Sequence, residues 1–163
     1  MDKRSVFLLV VVVVVVALAG SVGAACPAGY HFVTYGTCIK LLPLTGPFHT
    51  TWEEANDACE KEGGQLISLD TPQKMEQFTA KVFELGSDFY GYPYWVGVSK
   101  TETGWRWLNG EELSLRSYMW LPNEPDKKYN FSHAQILSMD NNPRHYISST
   151  DSGRGSACET SQI

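Results

Sequence analysis

Four cysteines constrain the fold of this chain more than any other feature of its sequence. They stand at Cys26, Cys38, Cys59 and Cys158. An even number of cysteines predicts two disulfides where the compartment is oxidising, and four cysteines allow three pairings. Zinc is the alternative, but the sequence has no Cys-x-x-Cys pair and no histidine at ligand spacing from a cysteine.

Among the three pairings we favour Cys26–Cys38 together with Cys59–Cys158. The first would close a short hairpin, and the second would join an early helix to the end of the chain. The second bond closes a loop of about 100 residues, for which the loss of unfolded-chain entropy predicts roughly 4 to 5 kcal/mol of stabilisation. We therefore expect the two ends of the domain to lie together.

The start of the chain indicates an oxidising compartment. Lys3 and Arg4 precede an apolar run over residues 6–19, and small residues follow it. This pattern is typical of a secretory signal peptide at 1–24, cleaved at its end or one bond later. The apolar run is shorter than the roughly 20 residues that a membrane span needs. We expect a single secreted, extracellular domain over 25–163.

Composition and motifs argue against several classes of function. The formal net charge is −5, which makes nucleic acid a poor partner. No apolar stretch after the leader is long enough to span a bilayer, so we expect a soluble product. The four histidines are scattered, and the sequence has neither His-Glu-x-x-His nor Gly-x-Ser-x-Gly. The histidines are therefore interpreted as surface or packing residues.

Local patterns predict two helices and several strands. Thr51 and Glu54 form a capping-box pattern at the start of the first helix. Thr71 caps the second helix and Pro72 opens it. The second helix carries an apolar stripe that indicates core packing, formed by Met75, Phe78, Val82 and Leu85. Strands are predicted within residues 30–40, where two strands flank Gly36, and over 65–69, 94–98, 104–108, 134–137 and 145–148.

Residues 114–133 show no helix or strand pattern and predict a long ordered loop, which in a compact domain is usually functional. Within it, Glu124 and Asp126 stand on either side of Pro125. Pro125 fixes its own φ and disfavours helix at Glu124, so this segment is expected to be stiff. Hard oxygen donors on a stiff loop suit calcium or a polyhydroxyl ligand, whereas the simpler alternative is a solvated acidic turn.

The order and spacing of several motifs resemble those of a C-type lectin domain. These motifs are the helix with Cys59, Trp95-Val96-Gly97-Val98, Gly104-Trp105-Arg106-Trp107, Asn109-Gly110, Glu124-Pro125-Asp126 and Cys158-Glu159. The resemblance runs from Cys26 to the Cys158-Glu159 segment, and Cys26–Cys38 resembles the extra bridge of the family's long form. It implies an α+β fold with two small antiparallel sheets, two flanking helices and a long ligand-binding loop.

In that family a calcium ion in the long loop holds the sugar. Glu124 and Asp126 match the family's Glu-Pro-Asn or Gln-Pro-Asp tripeptide in a mixed form, so the resemblance implies that both residues bind carbohydrate and calcium. A glutamate in the first position implies mannose-type sugars. Trp120 or Tyr129 would stack on the sugar ring.

The family's other calcium ligands do not match this sequence. Ser132 stands where a glutamate is expected, and Tyr146-Ile147 stands where an Asn-Asp pair is expected. Ala134 and Thr150 stand in place of the two cysteines of the long-loop disulfide. The side chains that could supply further oxygen ligands are Asp140, Asn141, Asn142 and Asp151.

The resemblance therefore implies a secreted, non-enzymatic lectin that recognises glycans or glycoproteins, serves innate immunity, and has a partly degenerate calcium site. The alternative is a calcium-independent member of the family that binds protein. Asn130-Phe131-Ser132 is an acceptor triplet for N-glycosylation within the same loop. Lys127-Lys128 is expected to form a solvated face.

Overall fold

The computed structural model describes residues 25–34, 36–43, 49–89, 91–138, 144–153 and 155–163. The expected signal peptide and the candidate oxygen donors Asp140, Asn141 and Asn142 lie outside the described residues. Within these ranges the chain forms two helices, α1 (Trp52–Lys61) and α2 (Pro72–Leu85), and nine strands. The strands are β1 (His31–Thr34), β2 (Thr37–Leu42), β3 (Gln65–Leu66), β4 (Tyr94–Thr101), β5 (Gly104–Trp107), β6 (Glu112–Leu113), β7 (His133–Ser138), β8 (His145–Thr150) and β9 (Gly155–Ser161).

Both helices begin where the sequence predicts. Thr51 Oγ1 accepts a hydrogen bond from the Glu54 N–H at 3.1 Å, and Glu54 Oε2 accepts one from the Thr51 N–H at 2.8 Å. Thr71 Oγ1 accepts from the Lys74 N–H at 3.2 Å, and Pro72 stands in the first turn. Each threonine satisfies an N–H that the first helical turn leaves unpaired. Both predicted caps are confirmed.

The apolar stripe of α2 faces the core. Met75, Phe78 and Val82 are buried, and Leu85 is partly buried against the same cluster. Spacings of three and four residues place these side chains on one face of the helix. The predicted core role of the stripe is confirmed.

The strands join into one mixed sheet. Its main path runs β1–β2–β9–β4–β5–β6, while β3 pairs with β9, and β7 joins β4 to β8. β4 and β9 run parallel, and the remaining pairs are antiparallel. The α+β class with two helices is confirmed. The two expected sheets are continuous because Tyr94 and Trp95 of β4 pair with β9 on one side and β7 on the other.

The strand predicted over residues 65–69 is shorter than expected. β3 ends at Leu66, although Ile67 and Leu69 are also fully buried. The Ile67 N–H donates to the Ala157 carbonyl at 2.8 Å, and the Ile67 carbonyl accepts from the Gly97 N–H at 2.8 Å. This segment therefore bridges β9 and β4 instead of extending one ladder.

Both favoured disulfides are present. The Cα atoms are 5.5 Å apart in Cys26–Cys38 and 5.3 Å apart in Cys59–Cys158. Cys59 and Cys158 are fully buried, so their bond fixes α1 to β9 inside the domain.

The first and last described residues are neighbours. The Ala25 N–H donates to the Ile163 carbonyl at 3.3 Å, and the Ile163 N–H donates to the Ala25 carbonyl at 3.1 Å. This pairing agrees with the expectation that the two ends of the domain lie together. In the described part of the chain, neither helix combines the length and the apolar character needed to cross a membrane.

Candidate functional site

The long loop between β6 and β7 is held against β8 by main-chain hydrogen bonds. The Leu121 N–H donates to the Ile147 carbonyl at 2.8 Å, and the Ile147 N–H donates to the Met119 carbonyl at 2.8 Å. Met119 is buried at this junction. The loop is therefore ordered where it approaches its acidic segment.

Trp120 lies in the core and not on the ligand-facing surface that the sequence suggested. Only 5% of the residue is exposed, and its ring packs edge-on against Trp105 with the centroids 5.2 Å apart. Its indole N–H donates to the Ser114 carbonyl at 3.1 Å. With its faces covered and its polar atom bonded within the loop, Trp120 has no surface free to stack on a sugar.

Glu124 is held by hydrogen-bond donors from β8 and from its own loop. Ser148 Oγ donates to Glu124 Oε1 at 3.0 Å. Glu124 Oε2 accepts from the Ser149 N–H at 3.1 Å, from the Ser149 hydroxyl, and from the Asp126 N–H at 2.8 Å. We call this group, formed by Glu124, Asp126, Ser148 and Ser149, the Glu124 clasp. The Glu124–Pro125 peptide bond within it is cis.

The sequence did not identify the partners of Glu124. The family resemblance placed Tyr146 and Ile147 where an Asn-Asp pair of calcium ligands would stand, and Ile147 is a fully buried core residue. The side chains that reach Glu124 come from the two following positions, Ser148 and Ser149. A pair of serines near the end of a strand carries little sequence signal, so only the docking of the loop on β8 reveals them.

The described residues do not fit the calcium site that the family implies. Calcium takes about six to eight oxygen ligands. Both oxygens of Glu124 already accept hydrogen bonds from protein donors, and Asp126 Oδ1 accepts from the Lys128 N–H at 2.8 Å. Within the described ranges, no three histidine, cysteine, aspartate or glutamate side chains gather where a metal could bind. Ser132 and Asp151 are both exposed, and Asp151 belongs to no such group of described residues.

Beside the clasp the loop forms an open groove with a volume of about 920 Å³, which we call the loop groove. It is lined by residues 123–131 together with Lys100, Trp105, Leu115 and Arg116. The structure thus brings Glu124 and Asp126 to the edge of a concave surface large enough for a small saccharide.

Two aromatic rings form a platform in the loop groove. Tyr129 and Phe131 stack with their centroids 5.2 Å apart and an angle of 26° between the ring planes. Tyr129 is 49% exposed, so part of its ring remains accessible. Of the two residues proposed from the sequence to stack on a sugar ring, Tyr129 is the one with the exposure for it.

The loop groove also carries basic side chains that the sequence did not assign to a site. Lys127 and Lys128 are exposed, as expected for a solvated face, but they line the groove together with Lys100 and Arg116. Lys100 is distant from these residues in sequence, and β4 places it there. Its ammonium donates to Asn130 Oδ1 at 2.9 Å. Asn130 is exposed and stays a predicted glycosylation site at this edge.

Comparisons with known proteins agree with this fold. The C-type lectin domain of murine dendritic cell inhibitory receptor 2, solved in complex with an N-glycan, matches with a TM-score of 0.64 and 16% identity over 84% of this chain and 99% of that one. A calcium-independent type II antifreeze protein matches with a TM-score of 0.62 and 20% identity over 85% of this chain and 96% of that one. These likenesses define the class as a C-type lectin-like fold.

The sequence comparison then gives the family. The Lectin C-type domain matches residues 49–160, which is more than half of the chain, and the chain belongs to this family. E-selectin of Bos taurus is 31% identical over 81 residues, covering 48% of this chain and 15% of E-selectin. This chain therefore corresponds to a small part of that relative. The family consists of non-enzymatic binding domains, which confirms the expectation that the chain is not an enzyme.

Proposed function

We propose that this protein is a secreted lectin that binds glycans in the loop groove. The observation that carries the proposal is the groove itself, which places the Tyr129–Phe131 platform beside the polar Glu124-Pro125-Asp126 segment. A sugar ring offers an apolar face and a rim of hydroxyls, and the groove offers an aromatic ring and oxygen acceptors. The likeness in fold to a lectin domain solved with an N-glycan supports this choice of ligand.

Sugar hydroxyls would find acceptors at the rim of the groove. Asp126 Oδ1 accepts from the Lys128 N–H, and Oδ2 accepts no hydrogen bond from another described residue, so it can accept one from a ligand hydroxyl. Asn123 also lines the groove, at a φ of 72°, a left-handed conformation that asparagine tolerates better than most residues. Glu124 acts mainly as a positioning residue, since its donors fix the segment that carries Asp126.

Binding is proposed to occur without calcium, because the described residues do not fit a calcium site. The donors of the Glu124 clasp already bond both oxygens of the Glu124 carboxylate. A calcium-independent type II antifreeze protein has a similar fold, so the fold itself does not require the metal. Mannose-type oligosaccharides are the first ligands to test, because the segment begins with a glutamate.

A role in host defence follows only if the ligand is a surface glycan of a foreign cell. The expected signal peptide, the two disulfides and the triplet at Asn130 are all consistent with an extracellular glycoprotein. We therefore propose pattern recognition of glycans outside the cell as the biological setting.

Calorimetry of the purified protein tests the proposed function. A panel of mannose-, galactose- and N-acetylglucosamine-terminated oligosaccharides is titrated once with calcium and once with a chelator. We expect at least one glycan to bind with the same affinity in both buffers. The Asp126→Asn, Tyr129→Ala double variant should lose that binding while keeping the unfolding midpoint of the parent. Absence of binding to every saccharide tested, neutral or anionic, would reject the lectin function.

The second candidate function is protein binding through the same loop. Leu115 and Tyr118 are 62% and 63% exposed on it, so the loop offers two large apolar side chains to a protein partner. If the glycan panel fails, a loss of partner binding in a Leu115→Ser, Tyr118→Ser variant would support this alternative.

A further inference from the structure

We infer that the saccharide recognised in the loop groove is anionic and carries sulfate or carboxylate groups. This inference rests on the proposed function and names the ligand class for the same groove. It comes from the charges that line the groove, from their lack of ion-pair partners, and from their position beside the aromatic platform.

The charge of the groove is opposite to that of the chain as a whole. The full sequence has a net charge of −5, yet the groove is lined by four basic residues, Lys100, Arg116, Lys127 and Lys128. It contains two acidic residues, so the local excess is two positive charges. A concave surface of one sign attracts ligands of the other sign more strongly than a flat one does.

Within the described part of the chain, no carboxylate forms an ion pair with these cations. Elsewhere in the described chain, lysines pair with glutamates in Lys40–Glu62, Lys74–Glu159 and Lys81–Glu84. None of the four groove cations forms an ion pair with another described residue, and the Lys100 ammonium contacts only the neutral Asn130 amide. Their charge is therefore available to a ligand.

The two acids of the groove are turned toward protein donors. Glu124 accepts hydrogen bonds from Ser148 and Ser149 on β8, and Asp126 Oδ1 accepts from a backbone N–H of the loop. Each hydrogen bond to a carboxylate offsets part of its charge with an oriented dipole. The acids hold the shape of the loop without forming ion pairs with the basic side chains beside them.

The arrangement suits a sugar ring that bears an anionic substituent. The Lys128 ammonium lies 5.0 Å from the centroid of the half-exposed Tyr129 ring. A ring stacked on Tyr129 would therefore place its substituents within reach of a lysine. Arg116, on the same groove, has a planar guanidinium that binds two oxygens of a sulfate or carboxylate at once.

A matched set of polysaccharides tests the inference with the purified protein in a chelating buffer. Binding to neutral dextran, dextran sulfate and carboxymethyl dextran is compared, because the three share one glucan backbone. Polyglutamate serves as an anionic polymer without sugar. We expect sulfated or carboxylated dextran to bind at least about tenfold more tightly than dextran or polyglutamate, and less tightly as salt is added.

Two double variants assign the effect to the groove. Lys127→Gln, Lys128→Gln should weaken binding to the anionic dextrans about tenfold, since each exposed charge contributes modestly. Lys61→Gln, Lys81→Gln makes the same change of net charge on the helices and should leave binding unaltered. Equal losses in both variants, or equal binding of polyglutamate, would overturn the inference.

The outcomes also separate this inference from the proposed function. If neutral glycans bind as tightly as their anionic counterparts, the lectin function stands and the anionic ligand class is wrong. If no saccharide in either experiment binds, the lectin function fails and the inference fails with it. Preference for sulfate over carboxylate, or the reverse, identifies which anionic group the groove takes.

Discussion

Two glutamates fasten distant parts of this molecule, and they do so with different partners. Glu159 on β9 pairs with Lys74 of α2 at 2.8 Å, and its second oxygen accepts from the Ser68 N–H at 3.0 Å. Glu124 in the long loop is fastened to β8 by the hydroxyls and N–H groups of the clasp. The first contact joins opposite charges, whereas the second joins a charge to neutral donors.

This difference separates two regions. The frame, formed by α1, α2, β9 and the Cys59–Cys158 bond, is held by a covalent link and an ion pair, and the attraction between the two charges depends little on direction. The clasp depends on hydrogen bonds, whose strength falls steeply with poor geometry. The loop is thus held by hydrogen bonds of defined geometry, while the cations of the groove form no ion pair with a described carboxylate.

The largest effect should come from breaking the frame. The Cys59→Ala, Cys158→Ala variant removes a buried bond across a sequence separation of 99 residues and should lose about 4 to 5 kcal/mol of unfolding free energy. Cys26→Ala, Cys38→Ala removes a bond across 12 residues and should lose roughly 3 kcal/mol. Guanidinium unfolding measures both, and the reverse order would contradict this assignment of the frame.

Acid should weaken the contact between α2 and β8. His145 is 4% exposed, its Nδ1 lies 3.1 Å from Thr79 Oγ1, and burial lowers its pKa to about 4 from an ordinary 6.5. Between these values the unfolded chain binds a proton that the folded protein does not. Stability from this group is therefore complete above pH 6.5 and falls as the pH drops toward 4, by about 3 kcal/mol in total.

The pH effect is measured as the difference between the parent and a His145→Gln variant. Urea unfolding at several pH values should show a flatter dependence between pH 6.5 and 4 in the variant, because glutamine does not titrate in this range. Parallel pH curves for the two proteins would show that His145 is not responsible.

An intermediate loss should follow removal of charge from Glu159. Glu159→Gln leaves the Lys74 ammonium without its partner in a site where the two side chains are only 14% and 12% exposed. We expect a loss of about 2 kcal/mol, less than for a fully buried pair. A Lys74→Met, Glu159→Gln double variant should recover part of it, and no recovery would mean that the pair is not coupled.

The smallest effect should come from the clasp. Glu124→Gln keeps the size of the side chain but weakens hydrogen bonds made to a charged acceptor, and it should cost about 1 kcal/mol. Urea unfolding measures this cost, and hydrogen exchange should rise in the loop. Glu102→Gln makes the same substitution at an exposed turn and should change neither quantity.

Much of the frame could be predicted from sequence because its signals are local. Thr51 with Glu54 and Thr71 with Pro72 mark the helix starts within a few residues. Four cysteines allow only three disulfide pairings. The extent of β3 could not be predicted, because the chain after Leu66 is apolar whether it forms a ladder or bridges two strands.

The site was harder to predict because its residues are far apart in sequence and only the folded chain brings them together. Glu124 and Asp126 were found from their position around a proline, but Ser148 and Ser149 are 24 and 25 residues away from Glu124. Trp120 was assigned to the ligand surface because it lies in a polar loop. The sequence alone does not show whether an aromatic side chain in such a loop is exposed or buried in the core. Lys100 joins the groove only because β4 ends beside the loop.

The hydrogen bonds between Ala25 and Ile163 suggest a way to change the connectivity of the protein. A short linker between these neighbouring residues would turn the backbone into a ring, and new ends could be opened at the exposed Asn109-Gly110 turn. Once the ring is opened at this turn, the chain connects Cys59 to Cys158 through the linker, by a path shorter than the present separation of 99 residues, so their bond closes a smaller loop in the unfolded chain. Such a circular permutant should therefore depend less on the long-range disulfide and keep its fold under more reducing conditions.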